Sequence, residues 1–185
     1  MLPPGHIAAG YLAAYSLLKL TGYNFDAQQV NQLLFWGMFF GFVPDMDMFA
    51  VFIRVKSFSV DANKSDHRKF ITHTPLFWLI VGLVVYLTAS GLFVKTIGLL
   101  IWFGAGSHLF LDTIQHGIPW LRPFSDRLYA LKDRGLSFSP SPSQRHNFFS
   151  YWLEFTWLYA TKTKLSFYLE LVIIVVAVLV YTNVI

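Results

Sequence analysis

The stretch "DHRKFITHTPLFWLIVGLVVYLTASGLFV", Asp66–Val94, decides the fold class, because ten residues rich in ionisable groups lie directly against nineteen residues without a charge. The uncharged part, Leu76–Val94, has the length of about 20 apolar residues that a transmembrane helix needs. Thr74 and Pro75 precede it and are typical of a helix cap and first turn. The sequence therefore predicts a membrane-spanning helix over Leu76–Val94 with two histidines just outside its start.

The composition agrees with a membrane protein. The chain is 55% hydrophobic and only 13% charged, whereas a soluble domain carries about 25% charged residues. A soluble all-helical protein would need a charged exterior that this chain lacks. The 185 residues allow one domain, so we predict that residues 1–185 form a single integral membrane domain. The chain has no cysteine, which excludes disulfides, cysteine nucleophiles and thiolate zinc sites.

The remaining apolar segments extend the prediction to an all-α, polytopic membrane helical bundle. About five apolar helices are expected, of which four or five span the membrane. The segments besides Leu76–Val94 are Ala27–Val43, Thr96–Asp112, Leu165–Ile185 and Ile7–Leu20. Pro44 is expected to end the helix over Ala27–Val43. The segment Ile7–Leu20 is short, so it is either a tilted span or an interfacial helix.

The basic residues predict an orientation. With five spans, Lys19 and Lys95 fall on one side of the membrane and all other bases fall on the opposite side. Basic loops face the cytoplasm, so we predict an inner (plasma) membrane protein whose basic side is cytoplasmic. The twelve bases on that side are Arg54, Lys56, Lys64, Arg68, Lys69, Arg122, Arg127, Lys132, Arg134, Arg145, Lys162 and Lys164. The net charge of +4 indicates membrane lipid as the partner rather than nucleic acid, and protein partners are not indicated.

Two segments on this side are not spans. Residues 122–146 are predicted to form a polar loop or a small hairpin, with short strands possible at Leu128–Leu131 and Leu136–Phe138. An aromatic segment before the last span is either a surface-lying amphipathic helix or a helix packed on the bundle. Its aromatic residues include Tyr151, Trp152, Trp157 and Tyr159.

The ionisable side chains gather at the predicted cytoplasmic side. The starts of two helices and the ends of two others each bring histidine or aspartate to it, and such groups near a membrane are usually functional. The histidines are His6, His67, His73, His108, His116 and His146, and the acids are Asp45, Asp47, Asp66, Asp112 and Glu154. A single one of them is more typical of a solvated helix end, but four converging segments favour a shared site.

Spacing points to metal binding. His108 and Asp112 are four residues apart, which places both on one face of a helix. Asp45 and Asp47 follow the helix stop at Pro44, and an irregular segment lets both point at one centre. His67 and His73 are six apart, so they converge only if the chain between them is not a regular helix.

Imidazole and carboxylate ligands without thiolate suit a divalent metal, with zinc expected and manganese or iron possible. The number of candidate ligands predicts one or two ions. Asp66 and Asp126 are available as hydrogen-bond acceptors that orient the histidine ligands.

The motifs "GH" with His6, "PDMD", "HRKFITHT", "SHLFLD" and "GIPWLRPF" occur in an order that resembles the inner-membrane metal-dependent hydrolases of the YdjM type. The order is also similar, more loosely, to that of zinc-dependent phospholipase C enzymes. The resemblance implies a helical membrane protein with a hydrolase-like metal site. Carried over by motif, the metal ligands are expected to be His6, Asp45, Asp47, His67, His73, His108 and Asp112. The chain departs from the family's middle motif, where Lys69 takes the place of a glycine.

The sequence therefore predicts a membrane-embedded metal-dependent hydrolase. The expected substrate is a phosphoester of a lipid or a lipid-linked molecule, attacked by metal-activated water. Asp47 or Asp66 would act as general base, and Arg68 would hold a phosphate oxygen, although the positive-inside pattern explains Arg68 equally well. Two alternatives stay open: a structural or regulatory protein whose metal only ties helix ends together, and a metal transporter, whose ligands would be expected near the midplane.

Overall fold

The computed structural model describes residues 2–55, 70–115, 117–131 and 148–183. These residues are mainly helical, which confirms the all-α prediction. Two short 3-10 turns, Val43–Met46 and Ile71–His73, precede α3 and α4. The helices are α1 (Pro3–Thr21), α2 (Ala27–Phe42), α3 (Asp47–Val55), α4 (Pro75–Thr88), α5 (Leu92–Gln115), α6 (Phe148–Lys162) and α7 (Lys164–Tyr181).

Among the described residues, three segments are long and apolar enough to cross a membrane: Ala27–Ala50, Leu92–Ile114 and Lys164–Tyr181. Helix α4 is a shorter apolar helix. Large apolar side chains on α4 and α7, such as Leu83 and Val172, are exposed, as expected of helix faces that contact lipid rather than water. The apolar helices of the prediction are therefore present, and the number of crossings stays a prediction.

The predicted span over Leu76–Val94 is wrong in its extent. Helix α4 ends at Thr88, Ala89 has an extended backbone, and α5 begins at Leu92. The residues Ala-Ser-Gly at 89–91 make the connection, and Ser and Gly favour turns. An uncharged run reports an apolar environment but not where the helix stops. The following helix is correspondingly longer and contains the whole of the predicted span Thr96–Asp112.

Helices α1 and α2 cross at very short range because glycines face each other. A Cβ atom added to Gly10 would lie 2.3 Å from the Gly37 carbonyl oxygen, and one added to Gly37 would lie 2.3 Å from the Ala14 Cβ. Small residues at such spacing let helix backbones approach closely. One turn further along, a Cβ on Gly41 would lie 2.5 Å from the His6 carbonyl oxygen. The crossing therefore fixes the start of α1 against the end of α2.

The helices that carry the candidate site pack as one group. Helix α5 contacts α1, α2 and α4, and α7 packs on α1. Fully buried side chains such as Leu33 and Leu100 form the core between them. The starts of α1 and α4 and the ends of α2 and α5 lie at the same end of this group, as the sequence predicted, and we call it the polar end.

The described part of the polar segment folds back on the end of α5. Ile118 and Tyr129 form an antiparallel bridge with N–O distances of 3.2 and 3.0 Å, and the Leu131 amide donates to the Thr113 carbonyl at 2.8 Å. The strand expected at Leu128–Leu131 is therefore a single bridge residue. Residues 132–146, with the strand predicted at Leu136–Phe138, lie outside the described residues.

Helix α6 packs on the bundle, which is one of the two arrangements that the sequence left open, and the surface-lying arrangement stays a prediction. Phe149, Leu153 and Trp157 are exposed, whereas Tyr159 is fully buried, and α6 contacts α7. The helix therefore rests on the bundle through one side and presents aromatic and aliphatic side chains on the other.

Gly10→Ala is expected to destabilise the protein, because the added methyl group meets the α2 backbone, and overpacking of this kind costs about 1–3 kcal/mol. The midpoint of thermal unfolding in detergent should fall by about 2–4 °C for each kcal/mol lost. The matched control is Gly106→Ala in α5, where an added Cβ meets nothing within 4 Å. Equal midpoints for the two variants would contradict the close crossing.

Candidate metal centre

Four side chains at the polar end form a cluster of metal-ligand type. One ligand atom from each of Asp45, His73, His108 and Asp112 lies within 4.8 Å of the others. Asp45 comes from the turn after α2, His73 from the turn before α4, and the other two from adjacent turns of α5. His73 and His108 are fully buried, and Asp112 is 4% exposed. The four donors converge on one point from three separate segments.

Local backbone structure explains two of these positions. Pro44 ends α2 at Phe42, as the sequence predicted, and the following 3-10 turn carries Asp45. On the other side, the chain runs through the turn Ile71–His73 and the extended residue Thr74 before α4 begins at Pro75. The segment that carries His73 is therefore not a regular α-helix, which agrees with the expectation from its spacing.

His108 is held so that one ring nitrogen faces the cluster. Its Nδ1 lies 2.8 Å from the Gly41 carbonyl oxygen, which can only accept, so Nδ1 carries the proton. Its Nε2 lies 3.5 Å from Asp45 Oδ1 and 3.7 Å from Asp112 Oδ2, and it makes no hydrogen bond within the described residues. A neutral histidine with this tautomer presents a lone pair to a cation.

His73 is oriented in the same way, but by a carboxylate. Its Nδ1 lies 2.9 Å from Asp47 Oδ2, and its Nε2 lies 3.7 Å from Asp45 Oδ1 and 3.8 Å from Asp112 Oδ2. Burial alone would lower the pKa of His73, but the nearby carboxylates of Asp45 and Asp47 outweigh it and raise the pKa to about 9. Binding of a cation at Nε2 therefore displaces a proton.

The structure places Asp47 beside the histidine rather than among the four clustered donors. Besides His73, its carboxylate accepts a hydrogen bond from the Thr72 hydroxyl, and the Thr72 carbonyl in turn accepts from the Trp78 indole at 2.6 Å. The sequence predicted Asp47 as a metal ligand and as a candidate base. Its contacts in the structure are those of an acceptor that orients a ligand.

His6 lies against the cluster from α1. Its ring stacks on His108 with centroids 3.8 Å apart, and its Nε2 lies 3.3 Å from Asp112 Oδ1 and 3.9 Å from Asp45 Oδ2. His6 is fully buried, and neither ring nitrogen makes a hydrogen bond within the described part of the chain. The structure therefore brings six of the seven predicted ligands close together, with Asp47 in an orienting position, and the seventh, His67, lies outside the described residues.

No role was predicted for Glu170, although an acid inside an apolar span is a signal of function. Glu170 is 3% exposed and accepts hydrogen bonds from the amides of Leu2 at 3.1 Å and Gly5 at 3.2 Å. The Leu2 amide precedes the helix, and the Gly5 amide also donates to the Leu2 carbonyl oxygen at 3.1 Å. Burial and the neighbouring Glu170 carboxylate raise the pKa of the Tyr159 hydroxyl. Glu170 of α7 therefore anchors Gly5, the residue that precedes His6.

Other predicted residues do not join the cluster or lie outside the described chain. Asp126, expected to orient a histidine, is 82% exposed at its side chain and pairs with Arg122 at 3.0 Å, because the segment after α5 carries it into solvent. Asp66, His67 and Arg68 lie outside the described residues, as do His116 and His146.

The donor set fits a divalent cation. Two neutral imidazoles and two carboxylates balance a charge of +2, so a bound cation leaves no net charge among the four buried or half-buried ligands, which lowers the cost of burying the carboxylates. Nitrogen and oxygen donors without thiolate suit zinc, manganese or iron. Each histidine has its second nitrogen bonded to an acceptor, as metal-binding histidines almost always do.

An all-helical protein with apolar helices and a buried His/Asp cluster at one end of the bundle is a membrane-type protein with a candidate metal centre. The sequence model of one family, described as YdjM inner membrane protein, matches residues 1–184. The chain therefore belongs to the YdjM inner membrane protein family, which confirms the resemblance drawn from its motifs. No curated protein and no solved structure matches the chain.

Asp47→Asn is expected to weaken metal binding without abolishing it, because the amide no longer holds His73 as the carboxylate does, and loss of such an orienting partner typically costs about 10–100-fold in affinity. The measurement is a titration with zinc against a chelator of known affinity. Asp126→Asn, which changes an exposed carboxylate, is the control. Wild-type affinity in Asp47→Asn would show that Asp47 does not orient the site, and complete loss would make it a ligand.

Proposed function

We propose that the protein is a membrane-embedded hydrolase that uses a divalent metal, zinc in the first instance, to cleave a phosphoester of a lipid or lipid-linked molecule. The observation that carries the proposal is the convergence of Asp45, His73, His108 and Asp112 on one buried point. The histidines are already oriented by Gly41 and Asp47, so the ligands need little rearrangement to bind.

In this reaction the chain's own residues would bind the cation, accept a proton and contact the phosphate. His73 and His108 would hold the cation through Nε2, and Asp45 and Asp112 would balance its charge. When bound, the cation polarises a phosphoryl oxygen and lowers the pKa of a water molecule. Asp66 remains the proposed general base and Arg68 the proposed phosphate contact, both from their spacing to His73 in the sequence. Asp47 suits the orientation of His73 better than proton transfer.

A lipid substrate is supported by the surface around the polar end. Phe124 is 91% exposed and Leu121 is 53% exposed in the segment that folds back on α5, and Phe49 and Ile53 are exposed on α3. Apolar side chains at a helix end beside a polar site suit the boundary between lipid headgroups and acyl chains. A substrate with a phosphate headgroup would reach this end from the membrane surface.

The cytoplasmic side is proposed for the site. Arg122 and Arg127 follow α5 at the polar end, whereas Lys19 and Lys95 lie at the opposite end of α1 and the start of α5. This distribution agrees with the positive-inside rule. In the inner membrane, to which the family description assigns its members, the site would then act on the cytoplasmic leaflet.

The alternative of a metal-tied structural protein rests on one specific observation. Four donors fill a tetrahedral zinc shell, and structural zinc sites are closed in this way, whereas catalytic sites keep a position for water. This alternative expects bound metal and no turnover. The transporter alternative is less favoured, because the cluster lies at helix ends rather than near the middle of the apolar segments.

His108→Ala and Asp112→Ala are expected to lose both bound metal and hydrolysis, because each variant removes a ligand from the cluster. Protein purified in detergent is assayed for metal by mass spectrometry and for release of phosphate-containing headgroups from a panel of phospholipids in mixed micelles. Asp126→Asn serves as the control and should behave as wild type. Full turnover in both ligand variants would refute the hydrolase proposal, and bound metal without turnover in the wild type on any substrate would favour the structural alternative.

A further inference from the structure

Each carboxylate of the cluster has one oxygen that faces His73 and His108 and one that faces His6. The oxygens Asp45 Oδ1 and Asp112 Oδ2 face His73 and His108, at distances between 3.5 and 3.8 Å. The opposite oxygens, Asp45 Oδ2 and Asp112 Oδ1, face His6 at 3.9 and 3.3 Å. A single cation between His73 and His108 uses only one oxygen of each carboxylate. The second oxygens therefore form a separate set of donors with His6.

His6 is the second observation that points to a ligand. It is fully buried, and both of its ring nitrogens lack a hydrogen bond within the described residues. Leaving a buried polar group unpaired is unfavourable. The Nδ1 of His108 is hydrogen-bonded to the Gly41 carbonyl, and the Nδ1 of His73 is hydrogen-bonded to Asp47. His6 differs from both because neither of its nitrogens makes a hydrogen bond within the described residues.

The backbone around His6 is held firmly in place. Glu170 binds the Gly5 amide at 3.2 Å, and a Cβ added to Gly5 would lie 2.5 Å from the Glu170 side chain. On the other side, Gly41 lets the His6 carbonyl pack against α2. The position of His6 beside the carboxylates is therefore set by two helices, α2 and α7, and does not depend on a pairing of its own ring.

We propose that a second divalent cation binds to His6 Nε2, Asp45 Oδ2 and Asp112 Oδ1, so that the two carboxylates bridge a pair of metal ions. The inference rests on the proposed function, because it assumes the first ion between His73 and His108. The donor set is one imidazole and two carboxylate oxygens, which suits zinc or manganese.

The second position resolves the difficulty that four donors leave a tetrahedral first ion closed. Three protein ligands are the pattern of catalytic sites, which keep a coordination position for water or substrate. Paired ions bridged at short distance also suit in-line displacement at phosphorus, because they can stabilise both the attacking and the leaving oxygen. The second position is therefore where a phosphoester oxygen or the attacking water would bind.

The decisive experiment is metal stoichiometry with manganese, which also reports proximity between ions. Purified protein is stripped with a chelator, reloaded with Mn²⁺, freed of excess ion, and examined by mass spectrometry and low-temperature electron paramagnetic resonance. We expect two Mn²⁺ per chain and the broadened signal of a magnetically coupled pair. One Mn²⁺ per chain with the six-line signal of an isolated ion in the wild type would overturn the inference.

His6→Ala assigns the second ion to its ligand. The variant should keep one Mn²⁺ per chain and show the signal of an isolated ion, because His73 and His108 are intact. His6→Gln, which keeps a side chain of similar length, is the companion variant if the alanine variant unfolds early. A variant that folds and still holds a coupled pair would also overturn the inference.

Turnover separates this inference from the proposed function. A coupled Mn²⁺ pair without hydrolysis of any phospholipid would support the second site and contradict the hydrolase. Hydrolysis by a wild-type protein that holds one ion would support the hydrolase and contradict the second site. The simple alternative, a hydrogen bond between His6 and Asp112, expects one ion in the wild type and the same count in His6→Ala.

Discussion

The close crossing of α1 and α2 is the constraint on which the rest of the site depends. Gly10 and Gly37 allow the two backbones to touch, and a side chain at either position would force them apart. The close crossing also places Gly41 against His6, and the Gly41 carbonyl oxygen accepts a hydrogen bond from His108. The Gly41 carbonyl thus determines the tautomer of His108 on α5. Helix α2, which carries Gly41, ends at the turn that positions Asp45. Packing of small residues therefore brings the start of α1 and the end of α2 close enough for the cluster to form.

The polar groups at this end form successive layers around the candidate metal position. His73, His108, Asp45 and Asp112 face the centre, and behind them Asp47 and Gly41 accept from the outer ring nitrogens. Asp47 is in turn bonded to Thr72, whose carbonyl accepts from Trp78. Each layer limits the rotation of the one inside it, which reduces the entropy lost when a ligand is bound. Precise ligand geometry therefore rests on helix ends that are themselves held by packing.

Much of this arrangement could be predicted from the sequence. The spacing of His108 and Asp112 on one helical face, the helix stop at Pro44 and the helix start at Pro75 are local features, and local features determined where Asp45 and His73 would lie. The end of α4 at Thr88 could not be read, because apolar character continues through the turn. Asp47 and His73 are separated by 26 positions in the sequence. Glu170 is separated by 165 or more positions from the α1 backbone that it anchors. Such pairings follow from packing in three dimensions, and hydrophobic periodicity does not encode them.

Charge explains why the cluster suits a cation rather than a purely structural polar core. Without one, Asp45 and Asp112 bring two carboxylates to the same buried point, and their mutual repulsion and desolvation must be offset by protons on the surrounding histidines. His73 accepts that role, since its contacts with Asp45 and Asp47 raise its pKa to about 9. The Nδ1 of His108 donates to Gly41, and its Nε2 faces both carboxylates. A divalent cation between the Nε2 atoms would supply positive charge next to both carboxylates, and a second one at His6 would contact their opposite oxygens.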